Sequence, residues 1–335
     1  MTIRLPHNAF ARHLTVWAFV ALVVVVTYAA SRSLYTATVI SAFSYAVASS
    51  GLGYIYGQAG MLSMAQAGLW GIGAFVAAIA TDDWGWGFLT SCLVAIVLCT
   101  VAGLVLAVPA LRVKGHYFLI ITFIATLLLV TVGTNVSVTG GAQGRVIADM
   151  PSIFGWTADT PTAMLIMFGV LYAIAASVLI LLKRTRSGRL TLLVRENETL
   201  AAALGVNVAA LKFLAFAISG AFAGLGGAMY AYFIQAIAPE TFGLGAATML
   251  AAAVIVGGAR FTLGPLIGAL IIQLVPLLLG FSPTVSAGVN GALLVVIILV
   301  ASGGVAGLAA RLGTLLRRRR VPVPERDRVL EDSRS

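Results

Sequence analysis

Along the chain, apolar positions gather into long runs with few interruptions. They cover residues 13–30, 35–56, 61–80, 87–108, 116–134, 161–182, 211–236, 243–257, 262–280 and 288–310. All but 243–257 reach the length at which a helix crosses a hydrocarbon core of about 30 Å. Barrel strands would instead alternate in polarity over about ten residues. The pattern therefore predicts an all-α polytopic membrane protein with about ten transmembrane helices. Ten spans divide as five plus five, a count that admits two inverted five-helix halves, as in many transporters. No convincing sequence repeat relates the halves.

Three polar segments punctuate the runs: 135–160, 183–210 and 317–335. The expected organisation is an N-terminal segment 1–12, a membrane domain 13–310 and a basic tail 311–335, read as solvated and disordered. Charge orients it. With the N-terminus inside, 19 of the 21 lysines and arginines fall on the inner side, leaving only Arg32 and Arg145 outside. That is the positive-inside asymmetry. It places 135–160 outside, and 183–210 and both termini in the cytoplasm. The first run reads as a retained signal anchor.

Composition agrees. The chain has 335 residues, 60% hydrophobic and 10% charged, against about 25% charged in soluble domains. The net charge of +10 comes from residues flanking the spans and in the tail, which argues against a nucleic-acid surface. Cys92 and Cys99 share one apolar run, about 10 Å apart along a helix, too far for a disulfide. No Gly-Lys dipeptide occurs, so there is no P-loop. The three histidines are scattered and make no metal cluster, and no catalytic set can be nominated. All eleven carboxylates lie in loops, near span ends or in the tail, whereas ion-coupled carriers usually keep an ionisable group in the bundle. The pattern suggests a permease energised by a separate ATPase. The alternatives are an ion-coupled carrier that works alone and a non-transporting scaffold.

Two glycine-rich stretches stand out. In "SGAFAGLGGAMYA" the rows Gly220, Gly224, Ala228 and Ser219, Ala223, Gly227, Ala231 repeat every four residues, a small-residue stripe suited to close helix packing in lipid. In "GQAGMLSMAQAGLWGIGA", 57–74, glycines surround Gln58, Ser63 and Gln66. These polar side chains at membrane depth either bond between helices or line a watery path beside an unwound segment. They are the candidate path residues. A third motif, "VTGGAQG" at 138–144, is an outer loop with Thr139, Gly140, Gly141 and Gln143.

The segment 183–210 predicts a short amphipathic helix. Leu190, Leu193, Val194, Ala201 and Leu204 share one face, and Gly205 follows in the stop position. Such a helix lies on lipid or enters a groove on a cytosolic partner. Its mixed charges favour the partner.

Several motifs at ordered spacing resemble the LivM-like permeases of bacterial branched-chain amino acid ABC transporters. They are "GQAGMLSMAQAGLWGIGAF", "LRVKGHYFLIITF" at 111–123, "VTGGAQG", "SGRLTLLVRENETLAAALGVNVAALKFLAFAISGAFAGLGGAMYA" and "VIVGGARFTLGPLIGALI" at 254–271. The resemblance implies a subunit in the bacterial inner membrane, importing branched-chain or related hydrophobic amino acids. It implies a second related permease, two cytosolic ATPase subunits that carry ATP and Mg, and a periplasmic solute-binding protein. The chain itself would be no enzyme and hold no cofactor or metal. Carried over, Arg195, Glu196, Asn197, Glu198, Ala201, Leu204 and Gly205 form the ATPase-coupling contact. The sequence departs from the family pattern at Gln66, Leu69, Trp70, Gln143 and Arg145, and in Leu190–Leu193. These departures leave the solute open, because importers of urea and short amides share the architecture.

Overall fold

The computed structural model describes residues 7–280, apart from 30–32, 114, 148 and 154. The chain is an all-α polytopic membrane protein. Its helices are α1 (His7–Ala29), α2 (Ser33–Tyr54), α3 (Gln66–Asp82), α4 (Phe88–Ala110), α5 (His116–Asn135) and α6 (Pro161–Arg184). The polar segment gives α7 (Arg186–Glu196) and α8 (Glu198–Ala203). Then come α9 (Val208–Ile234), α10 (Leu244–Gly257) and α11 (Gly264–Leu278). Each apolar run up to residue 280 contains one of these helices. The tenth, 288–310, and the tail lie outside the described residues. Among the described residues seven segments are long and apolar enough to cross a membrane, whereas α11 is shorter.

Helix α9 is the hub, packed against α2, α3 and α4. The small-residue stripe makes that possible. A Cβ at Gly224 would lie 2.4 Å from the Ala95 carbonyl oxygen of α4, and one at Gly227 would lie 2.1 Å from the Trp70 oxygen of α3. Backbones this close leave no room for a side chain, so the stripe packs on two sides at once. Around the seam, Trp70 stacks with Tyr45, Tyr230 and Phe242 at centroid distances of 4.7, 4.5 and 4.9 Å. Cys92 and Cys99 are buried and unbridged. The Cys99 thiol donates to the Leu69 carbonyl at 3.3 Å.

One end of the bundle carries the loop between α5 and α6. It holds two small antiparallel pairs, β1 (Arg145–Val146) with β4 (Ala236–Ile237), and β2 (Ser152–Ile153) with β3 (Trp156–Thr157). Arg145, one of the departures from the family pattern, has a specific place here. Its guanidinium donates to both Asp83 oxygens at 3.0 and 2.9 Å, fastening the loop to the end of α3. The Thr139 hydroxyl donates to the Gly133 and Val136 carbonyls that end α5. Gly140, Gly141 and Gly144 all have positive φ, the conformation that suits glycine. Gln143 closes a short 3₁₀ turn, Gly141–Gln143.

Candidate functional site

The opposite, basic end holds a break in the helical backbone. After α2 the chain makes a π-turn, Ile55–Ala59, and then Gly60 at φ 75°. Residues 60–65 are not helical, and α3 starts only at Gln66. The expected span 61–80 therefore loses its first turn. The reason is depth combined with glycine. Gly60 adopts the left-handed conformation that stops a helix, and the following residues climb back into the bundle. Gln66 already sits beside Ala48, nine residues before Gly57 and so about 13 Å from it along the helix axis.

Non-helical backbone at membrane depth survives only when its polar groups find partners. Two threonines on one face of α5 supply them. Thr122 Oγ1 accepts from the Met64 N–H at 3.1 Å, and Thr126 Oγ1 donates to the Met64 carbonyl at 2.8 Å. Sequence reading passed over this pair, although two threonines at i and i+4 in an apolar helix are a usable signal.

The three path candidates all lie along this break, in different roles. Gln66 ties three helices together. Its amide nitrogen donates to Ala48 O at 2.7 Å and Ser219 O at 3.3 Å, and its oxygen accepts from Ser219 Oγ at 2.5 Å. Ser63 is buried within the non-helical stretch, and Gln58 is buried in the π-turn. None of the three lines the cavities described below.

The polar segment 183–210 folds as two helices rather than one. Asn197 has extended backbone, and its side chain accepts from the Leu200 N–H at 2.9 Å, capping α8. Thr185 and Asn207 cap α7 and α9 in the same way. Each such cap stabilises by about 1 kcal/mol. Val194, Ala201 and Leu211 form a small core, flanked by Leu190, Leu193, Val206 and Val208. Leu204, expected on that face, is 65% exposed, because the break at Asn197 rotates the end of α8. Gly205 follows at φ 77°.

The coupling candidates divide into two sets. Glu196 is exposed and only 3.6 Å from an equally exposed Arg260, a pairing worth little. With Leu192, Leu200 and Leu204, also exposed, it forms the outer surface of α7 and α8. Arg195 and Glu198 turn the other way. Arg195 Nη1 donates to the Gly57 carbonyl at 2.6 Å, and its stem passes so close to Gly60 that a Cβ there would be 3.0 Å away. Glu198 accepts from Lys212 Nζ at 2.9 Å. Thus α7 holds the broken segment directly through Arg195, while α8 is tied to α9 through Glu198 and Lys212.

Two cavities lie above and below the break, both between its flanks and α5. The one at the basic end has a volume of about 380 Å³. Tyr56, Met61, Leu62, Val113, Phe118 and Leu119 line it together with Arg195, Glu198 and Lys212. The second, about 310 Å³, runs along one face of α3 through Gly68, Gly71, Ile72, Phe75, Val76 and Ile79. It is closed by Leu129, Gly133, Thr139, Pro239 and Phe242. Among the described residues Thr139 is the only polar side chain lining this cavity, and its hydroxyl is already committed to backbone. One cavity is charged and one apolar, with the Met64–Thr122–Thr126 seam between them. Among the described residues no group of three His, Cys, Asp or Glu could hold a metal ion.

Comparison with known proteins follows the same outline. The family model for the permease component of branched-chain amino acid transport systems matches residues 34–302. The high-affinity branched-chain amino acid transport system permease protein LivM of Salmonella typhimurium is 29% identical over 238 residues, 64% of this chain and 56% of that protein. LivM of Escherichia coli strain K12 is 27% identical over the same shares. LivH of Escherichia coli strain K12 is 26% identical over 285 residues, 79% of this chain and 91% of LivH. The chain thus aligns with little more than half the length of these LivM proteins. No solved structure matches.

Proposed function

The chain belongs to the family of branched-chain amino acid transport system permease components, and on that premise we propose that it is the membrane subunit of an ABC importer for branched-chain or related hydrophobic amino acids, energised by a separate ATPase. The observation that carries the proposal is the grip of α7 on a broken membrane helix through Arg195 and Gly57. A permease without its own ATP site needs a part that feels its partner and a part in the path that moves. Here a side chain joins the two.

In this reading the basic end faces the cytoplasm of a bacterial inner membrane, as the positive-inside rule requires. Leu192, Glu196, Leu200 and Leu204 face the ATPase, a helix presented to a groove. Two such ATPase subunits, bearing ATP and Mg, serve this chain and a second related permease. A periplasmic binding protein delivers solute at the end bearing Thr139 to Gln143. Nucleotide-driven movement of α7 and α8 reaches the seam at Met64 through Arg195, and the two cavities open in turn.

Co-expression with the neighbouring ATPase genes tests this. A tagged chain should retain an ATP-hydrolysing subunit in mild detergent. Glu196→Lys combined with Leu204→Asp should release that subunit while leaving the chain monodisperse. A chain that never retains an ATPase, and that transports alone on an ion gradient, contradicts the proposal.

A further inference from the structure

A third cavity, of about 520 Å³, opens where α1, α6 and the turn into α11 meet at the basic end. Three segments distant in sequence build it. Arg12 of α1 and Arg260 of the α10–α11 turn are exposed at its rim. The rest of the wall is mainly apolar, with Val16, Ile180, Leu263 and Ile267, and Val16 and Ile180 are buried. Lys183, in the last turn of α6, is close enough to Arg12 for the two charges to repel.

The three cations stand where apolar spans end. Arg12 opens the first span, Lys183 is the last residue but one of the span ending at Arg184, and Arg260 lies between the end of α10 and the start of α11. That is the depth of lipid head groups. The same helices expose Leu14 and Leu181, so the cavity borders a surface suited to acyl chains. Its charges are poorly balanced. Among the described residues no carboxylate pairs with Arg12 or Lys183, and Arg260 has only Glu196 at 3.6 Å, both side chains exposed. Helix α11 starts at Gly264 without a side-chain cap, and its N-cap residue Leu263 lines the cavity. The positive end of that helix therefore adds to the field of the cations.

Cations above an apolar wall are complementary to a ligand with a negative head and a hydrocarbon body. A free phosphate would satisfy the cations and leave Val16, Ile180 and Ile267 uncovered. A zwitterionic lipid would bring a cation of its own to the rim. Basic pockets between helices on the cytoplasmic side are a known form of lipid site.

We propose that this cavity binds an anionic phospholipid, with its phosphate between Arg12 and Arg260 and the start of an acyl chain on Val16, Ile180 and Ile267. The site is independent of what the chain transports. Because Arg260 also stands beside Glu196, the bound lipid lies next to the surface assigned above to the ATPase.

The test is native mass spectrometry of the full-length chain in a neutral detergent, titrated with lipids of identical acyl chains. A basic residue near the head group contributes about fivefold in affinity. Dioleoyl phosphatidylglycerol should therefore bind about twentyfold more tightly than dioleoyl phosphatidylcholine. Arg12→Gln with Arg260→Gln should abolish that preference, and Arg12→Lys with Arg260→Lys should keep most of it. Arg112→Gln, a basic residue that does not line the cavity, should leave it unchanged. Glycerol 3-phosphate, a head group without chains, should displace the lipid only at concentrations about a hundredfold higher or more. If the double glutamine variant loses its fold, Arg260→Gln alone, on an exposed turn, carries the comparison at about fivefold.

Equal retention of the two lipids overturns the proposal, and is the result expected if another protein covers this face. A preference that survives the glutamine variants places the lipid elsewhere and overturns the site. Displacement by glycerol 3-phosphate at the lipid's own concentration shows a site for free organic phosphates and overturns the lipid assignment.

Discussion

Two stretches of this chain are equally rich in glycine, and they behave in opposite ways. In α9, Gly220, Gly224 and Gly227 sit inside one uninterrupted helix and serve to bring α3 and α4 within backbone contact. Between α2 and α3, Gly57 and Gly60 sit where the helix fails and the chain turns back into the bundle. Glycine content does not distinguish them, and neither does hydropathy. The difference lies in what surrounds the backbone. α9 keeps its helical hydrogen bonds in an apolar setting, and the Gln66 amide adds a bond to the Ser219 carbonyl without breaking the helix. Around Met64, Thr122 and Thr126 offer a donor and an acceptor from a neighbouring helix, and Arg195 takes the Gly57 carbonyl. A membrane helix breaks where its neighbours can satisfy it.

The largest way to test that contrast is to fill α9. Gly224→Leu drives a side chain into the Ala95 carbonyl and should cost about 3 kcal/mol or more, the upper range for overpacking. Loss of the monodisperse peak and of thermal stability in detergent should show it. Next is the break itself. Thr122→Val with Thr126→Val strips both partners from Met64, and unsatisfied buried backbone groups should cost about 2–4 kcal/mol in total. Transport should fall further than stability alone explains, and Thr131→Val on the same helix, whose hydroxyl donates to the Leu127 carbonyl of its own helix, should change both measures little. Gly60→Ala forces a side chain onto φ 75° and against Arg195, a strain of about 1–2 kcal/mol, visible as a lowered melting temperature. The smallest effect belongs to the far end. Arg145→Ala removes a partly exposed pair with Asp83, worth about 0.2–1 kcal/mol, and should leave melting nearly unchanged.

Much of the fold could be read from the sequence, because hydropathy reports on lipid and lipid is the same everywhere along the chain. The helices begin and end close to the limits of the apolar runs. What escaped reading depended on distant partners. "MLSMA" is apolar enough to continue a span, and the partners that satisfy its broken backbone, Thr122 and Thr126, lie some sixty residues on. Arg145 looked out of pattern until Asp83, 62 residues earlier, was seen beside it. The break at Asn197 was closer to legible, since an asparagine before a short Glu-led helix is a local cap signal. The amphipathic face 190–204 was read as continuous, and that one capping residue redirects Leu204. Lys212 was noted only as part of a motif. Its meeting with Glu198 and Arg195 on one cavity wall is a product of tertiary folding.

The central claim is that this chain moves an amino acid only when a partner hydrolyses ATP. The direct test is uptake into proteoliposomes that contain this chain, its paired permease and the ATPase subunits, with the binding protein outside. The account predicts leucine or isoleucine accumulation that requires ATP, is indifferent to ion gradients, and is lost in Arg195→Gln while ATP hydrolysis continues. Accumulation by this chain alone, driven by an ion gradient without ATP, would contradict it.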